Sequence, residues 1–228
     1  MAASDLTQSL SRYIDHTLLK PEATRADLEK LCKEALEHHF YSVCVNSQWV
    51  SLCAELLKGS DVSVCTVVGF PLGASTSETK AYEAAKAAEQ GAAEVDMVLA
   101  VGSLISGDYD YVREDIRNVV QAVEGRAIVK VILETGLLNN EQKRMASKLS
   151  EEAGAHFIKT STGFGKGGAT VEDIRLMRSS VSDKVGVKAS GGVRDLETAH
   201  AMIEAGANRL GTSSGVALVQ GGNSTGGY

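Results

Sequence analysis

Eight short runs of β-forming residues alternate with longer amphipathic segments along the chain, and this alternation limits the fold more than any other feature. The runs are "RYIDHT" from Arg12, "YSVCVN" from Tyr41, "VSVCTVVG" from Val62, "EVDMVLA" from Glu94, "IVKVILET" from Ile128, "HFIKTS" from His156, "VGVKAS" from Val185 and "NRLGTSS" from Asn208. Between them lie helical patterns over 25–38, 78–90, 109–123, 141–153, 171–181 and 196–205. Strands that are apolar almost throughout, each followed by a helix, specify a parallel sheet covered by helices. Eight such units in 228 residues fit a compact α/β fold, a single (β/α)8 TIM barrel, a type that takes about 250 residues. The barrel is expected over residues 1–220, with a Gly-rich tail over 221–228, "GGNSTGGY".

Helix-start chemistry agrees with this frame. Ser75 and Glu78 are spaced as a capping box, and Thr170 and Asp195 precede their helical patterns as N-caps. The endings "EQGAAEVD", "EEAGAHFI" and "IEAGANRL" each put glycine where a helix passes into a strand, which suits a helix C-terminus.

Three lysines stand out against the strands. Lys130, Lys159 and Lys188 are each the third residue of a similar run, "IVK", "FIK" and "GVK", and successive members are 29 residues apart. That spacing is one βα unit, so the reading places all three at equivalent positions of strands five, six and seven, pointing into the barrel near its C-terminal mouth. A single lysine is usually explained by snorkelling or a solvent-facing edge. Three in register require either a function or carboxylate partners, for which Asp96 and Glu134 are available.

Clustered ammonium groups have a chemical use. A lysine at its ordinary pKa of about 10.4 is on the order of 0.1% neutral near pH 7.5. A second ammonium roughly 5 Å away, at an effective dielectric of about 20, disfavours the charged form by about 3 kcal/mol, or roughly two pKa units. Desolvation acts the same way, whereas a carboxylate in contact does the reverse. The middle lysine has two like-charged neighbours, so Lys159 is expected to be the most depressed and the best Schiff-base nucleophile.

Glycine and serine cluster after strands six to eight, in "TGFGKGG", "ASGGVRD" and "GTSSGVA". Loops seven and eight of such barrels commonly hold phosphate, and small residues let an anion approach backbone N–H groups. Gly163, Gly191, Gly192, Ser213 and Ser214 are therefore expected phosphate contacts, with Gly165 and Lys166 beside them. Lys166 is either a phosphate ligand or a solvated charge.

Composition excludes several alternatives. A net charge of −6 with no basic cluster offers no footprint for nucleic acid or anionic membrane, and no apolar stretch reaches the roughly 18 residues of a spanning helix. Cys32, Cys44, Cys53 and Cys65 form no Cys-x-x-Cys pair and read as buried free thiols of a cytoplasmic protein. The histidines, His38-His39 included, lack metal-ligand spacing.

Taken in order, "DHTLLKPEAT" at Asp15, "VCVN" at Val43, "VVGFPLGAS" at Val67, "EVDMVL" at Glu94, "KVILETGLL" at Lys130, "FIKTSTGF" at Phe157, "VKASGGVR" at Val187 and "RLGTSSG" at Arg209 resemble the deoxyribose-phosphate aldolase family along nearly the whole chain. The resemblance implies a cofactor-free (β/α)8 enzyme that reversibly joins acetaldehyde and D-glyceraldehyde 3-phosphate into 2-deoxy-D-ribose 5-phosphate, with a homodimer as the expected assembly. It further implies Lys159 as the Schiff-base nucleophile, Lys188 as the neighbour that lowers its pKa and moves protons, and Asp96 as the acid/base group working with a water. Lys130 becomes a supporting charge paired with Asp96. Tyr228 is similar to the terminal tyrosine with which some members assist proton exchange at C2. The rivals are a sugar-phosphate isomerase in which the lysines never become covalent, and an inactive barrel that binds phosphorylated sugars.

Overall fold

The computed structural model describes residues 10–222, and all eight expected strands are present: β1 Ile14–Leu18, β2 Ser42–Val45, β3 Ser63–Val68, β4 Glu94–Val98, β5 Ile128–Ile132, β6 Phe157–Lys159, β7 Gly186–Ser190 and β8 Arg209–Thr212. Each pairs in parallel with the next, and β8 closes on β1, giving a closed barrel. Helices α1 Arg25–Glu37, α2 Val50–Leu56, α3 Ser77–Glu89, α4 Val101–Ile105, α5 Tyr109–Ala122, α6 Asn140–Glu152, α7 Val171–Arg178, α8 Leu196–Glu204 and α9 Gly215–Val219 fill the connections. None of the described helices is long and apolar enough to cross a membrane.

Helix boundaries follow their caps. Thr24 with Asp27 and Asn139 with Gln142 close reciprocal capping boxes on α1 and α6, while Thr170 and Asp195 cap α7 and α8 as expected. For α3 the expected Ser75–Glu78 box is displaced by one residue: Thr76 accepts from the Thr79 N–H, and Ser77 is inside the helix, where its hydroxyl meets Asn118. Gly91, Gly154 and Gly206, in the three repeated endings, have φ of 107°, 89° and 113°. That left-handed turn disfavours a Cβ, so these glycines are set by helix termination.

Strand alternation sorts the side chains into two sets. Val43, Val64, Val95, Val129, Ile158, Val187 and Leu210 join the large apolar cluster that includes the inner faces of the helices. Their sequence neighbours point the other way, into a barrel lumen that differs from the branched aliphatic filling usual in this fold. On one side of the lumen Leu19, Cys44, Cys65, Val67 and Phe70 form a separate small cluster. The other side is charged.

Register corrects one expectation. Lys159 pairs directly with Lys188, but Lys130 pairs with Phe157, and it is Ile132 that faces Lys159. The three lysines thus do not share one level: Lys130 sits two residues lower on its strand. Strands in a closed barrel are staggered, so equal spacing along the chain does not give equal depth. The expected tail falls at 221–228, and Tyr228 lies outside the described residues.

A charged lumen beside a glycine-lined cleft

Seven ionisable side chains meet inside the barrel: Lys130, Lys159, Lys188 and Arg209 with Asp15, Glu94 and Asp96, each no more than 3% exposed. Asp96 is the hub. Its Oδ1 accepts from Lys130 at 2.7 Å, and its Oδ2 accepts from both Lys159 at 2.9 Å and Lys188 at 2.8 Å. Lys188 also meets Asp15 at 2.5 Å, Lys130 meets Glu94 at 2.6 Å, and Arg209 links Asp15 to Glu94 at 2.6 and 3.3 Å. The lysines are thus brought together as expected, with carboxylates between them. Glu134 takes no part. It sits in the left-handed region at φ 55° and accepts from the Thr162 hydroxyl at 2.5 Å.

Asp15, Glu94 and Arg209 were not singled out in the sequence, although each lies in a quoted motif. Glu94 precedes Asp96 by two residues and so shares its face of β4, a period-two signal sufficient to find it. Asp15 and Arg209 carry no such local mark, because only barrel closure puts β1 next to β8.

The cluster holds four cations against three carboxylates. Buried charge is tolerated only when paired, so the excess cation is the weak point of the arrangement. Burial alone would raise the carboxyl of Asp96, but Lys130, Lys159 and Lys188 together hold it well below the usual carboxylate range. Asp15 is held down likewise, by Lys188 and Arg209 against burial. Burial would discharge Lys188, yet Asp15 and Asp96 keep it an ammonium well above its ordinary value; for Lys130 the same opposition is won by Asp96, Glu94 and Asp15. Lys159 has the fewest ionic contacts of the four, a single carboxylate oxygen shared with Lys188.

A second region opens beside the cluster. A cleft of about 470 Å³ is lined by Gly163, Gly167 and Gly168 after β6, Gly191 to Arg194 after β7, and Gly211 to Ser214 at the end of β8. Gly163, Gly191, Gly192, Ser213 and Ser214 therefore converge, whereas Gly165 packs against the Glu134 carboxylate and Lys166 is exposed outside the lining. Arg194, the charged residue of this lining, was missed in the sequence. Loops six and seven touch backbone to backbone: the Ala169 N–H donates to the Gly191 carbonyl at 2.9 Å, and a Cβ on Gly168 would stand 2.5 Å from that same oxygen. Glycine is thus required for the loops to close around the cleft.

One group among the described residues has metal-ligand spacing: Cys44, Cys65 and Asp96, whose donor atoms lie within 4.8 Å of one another. The Asp96 oxygens are already bound by three ammonium groups, and the excess positive charge opposes a cation there.

The family model described as DeoC/LacD family aldolase matches residues 10–221. A deoxyribose-phosphate aldolase of Brevibacillus brevis is 64% identical over 218 residues, covering 96% of this chain and 98% of its own length. One from Bdellovibrio bacteriovorus is 61% identical over 219 residues, covering 96% and 99%. Among solved structures, a deoxyribose phosphate aldolase from Aeropyrum pernix, described as tetrameric, superposes with a TM-score of 0.87 at 34% identity, covering 94% of this chain and 91% of that one. With a lysine-rich charged lumen, a glycine-lined cleft beside it and similarity along nearly its whole length, the chain belongs to the DeoC/LacD family of aldolases.

Proposed function

We propose that the chain reversibly cleaves 2-deoxy-D-ribose 5-phosphate into acetaldehyde and D-glyceraldehyde 3-phosphate through a Schiff base on Lys159. The observation that carries this reading is the charge count of the lumen. Four cations share three carboxylates, so releasing one proton balances the cluster, and Lys159 is the cation with the fewest ionic contacts to lose. Its amine attacks C1 of the open-chain sugar phosphate, and loss of water leaves an iminium that draws electrons from the C2–C3 bond.

Lys188 and Asp96 divide the proton traffic. Lys188, held as an ammonium, is a donor for the departing hydroxide of the carbinolamine. Asp96, held ionised, is an acceptor that through a water takes the C3 hydroxyl proton as the C2–C3 bond breaks. Its low proton affinity favours passing that proton on to C2 of the enamine. Lys130 supports Asp96 from below. The thiol and aliphatic wall of Leu19, Cys44, Cys65, Val67 and Phe70 suits a two-carbon donor, and the glycine-lined cleft with Arg194 suits the phosphate. Lys166 and Tyr228 are assigned no step.

The relatives named deoxyribose-phosphate aldolase support the same substrate and a role in breakdown of deoxyribonucleotide sugars. Four buried free thiols fit a cytoplasmic location. Tyr82, Ile105, Tyr109 and Tyr111, exposed on α3 to α5, give a homodimer apolar surface to use, which light scattering would test. The chemical reading is tested by borohydride reduction in the presence of acetaldehyde. An ethyl group on the Lys159 peptide is expected, and its absence from folded protein saturated with acetaldehyde would favour the non-covalent isomerase reading.

A further inference from the structure

Cys44 and Cys65 are directly paired residues of β2 and β3, and both point into the lumen, fully buried. Paired residues of adjacent strands have Cα atoms about 4.8 Å apart, inside the roughly 4.4–6.8 Å range of disulfides. Their sulfurs and an Asp96 oxygen lie within 4.8 Å of one another, so the two thiols are near neighbours in the lumen. Neither thiol has a step in the mechanism above. Cys65 donates to Asp96 Oδ1 at 3.2 Å and accepts from Lys130 at 3.3 Å.

We propose that Cys44 and Cys65 form a vicinal-dithiol oxidation site, which a hydroperoxide converts to a cross-strand disulfide inside the barrel with loss of catalysis. Cys44 is the attacking sulfur. The neighbouring Cys65 lowers its thiol against the effects of burial and of Asp96, with Lys188 and Lys159 adding to that stabilisation of the thiolate. Cys65 is kept protonated by burial, by Cys44 and by Asp96.

The Cys44 thiolate attacks one peroxide oxygen, the O–O bond breaks, and sulfenic acid and hydroxide form; sulfur supplies the two electrons that reduce the peroxide. The Cys65 sulfur then displaces the sulfenic oxygen as its own proton goes to that leaving group, giving a disulfide and water. A small hydroperoxide reaches these sulfurs through the same lumen that the substrate must enter to meet Lys159. The disulfide draws Cys65 away from Asp96 and Lys130 and so disturbs the hub of the charged cluster.

Cys32 and Cys53 supply an internal control. They are also neighbours, but they lie in the outer apolar core among the helices, and the lowered thiol of Cys53 owes its shift to Cys32 with no cation contributing.

The test treats the full chain with stoichiometric hydrogen peroxide, alkylates the remaining thiols and maps the peptides. A linked Cys44–Cys65 peptide is expected, with Cys32 and Cys53 still alkylated and retro-aldol turnover reduced about tenfold or more, the scale of losing one hydrogen bond to a charged group. Dithiothreitol should reverse both. In Cys65→Ala no link forms and dimedone labels Cys44; Cys44→Ser, should the first variant fold poorly, gives neither link nor label. The proposal is overturned if Cys44 and Cys65 remain alkylatable after exposure, if only Cys32 and Cys53 are linked, or if the Cys44–Cys65 link leaves turnover unchanged. The turnover arm rests on the aldolase reading, while the peptide map does not, so failure of either idea can be told from failure of the other.

Discussion

Replacing Lys188 by methionine removes one cation from the lumen while keeping a side chain of similar length, and it tests the charge count on which the mechanism rests. Lys159 and Lys188 donate to the same Asp96 oxygen at 2.9 and 2.8 Å. Two donors on one acceptor, separated by an angle near the tetrahedral value, stand roughly 4.5 Å apart. At an effective dielectric of about 20 their repulsion is about 3–4 kcal/mol. In Lys188→Met that repulsion is gone, three cations face three carboxylates, and Lys159 has the Asp96 oxygen to itself. Both changes favour the ammonium over the amine, so imine formation should require a higher pH, by roughly two units or more. Asp15 keeps Arg209 at 2.6 Å and Ser42 at 2.8 Å, so the variant retains a paired floor. The assay is the rate of borohydride-trapped adduct with acetaldehyde between about pH 6 and 10, with far-UV circular dichroism as the control for folding. An unchanged pH profile in a folded variant would refute the argument that Lys188 disfavours the charged state of its neighbour.

Three further outcomes are expected. Asp96→Asn leaves three buried ammonium groups short of a carboxylate and should cost about 3–5 kcal/mol in denaturant titration, together with about 10²–10⁴ in turnover. Lys80→Met, by contrast, breaks a buried pair with Asp115 at 2.6 Å among β4, α3 and α5; a similar loss of stability is expected, with the adduct rate per folded molecule unchanged. Unfolding free energy followed against pH should owe no slope to Asp15, Asp96, Lys130 and Lys188 between about pH 5 and 9. Asp15 and Asp96 titrate below their unfolded value, so their contribution is complete above about pH 4 and is lost as pH falls further. Lys130 and Lys188 titrate above theirs, so their contribution is complete below about pH 10 and fades only in stronger base. A steep loss of stability from these groups near pH 6 would contradict the assigned pairing.

Similarity in sequence was enough to indicate the family, and periodicity was enough to indicate the barrel. A strand that is apolar on both faces, followed by a helix, has few ways to bury itself, and eight repeats of that unit leave little besides closure. The lysines were legible for the same reason, since a charge at the third position of an apolar strand has no place under a helix. The clustering of Gly163, Gly191, Gly192, Ser213 and Ser214 was also legible, because loops that follow adjacent strands must end up side by side.

Depth and pairing were not legible. Equal spacing of Lys130, Lys159 and Lys188 along the chain suggested one level, but stagger put Lys130 lower and made it the partner of Glu94 and Asp96. Asp15 and Arg209 entered the cluster only because β1 and β8, nearly the whole chain apart, are neighbours once the sheet closes. The sequence by itself determined the kinds of charge available and the strands that carry them. Tertiary structure decided which charges touch, and hence which lysine is least well paired, because electrostatic energy falls with distance through space and is indifferent to distance along the chain.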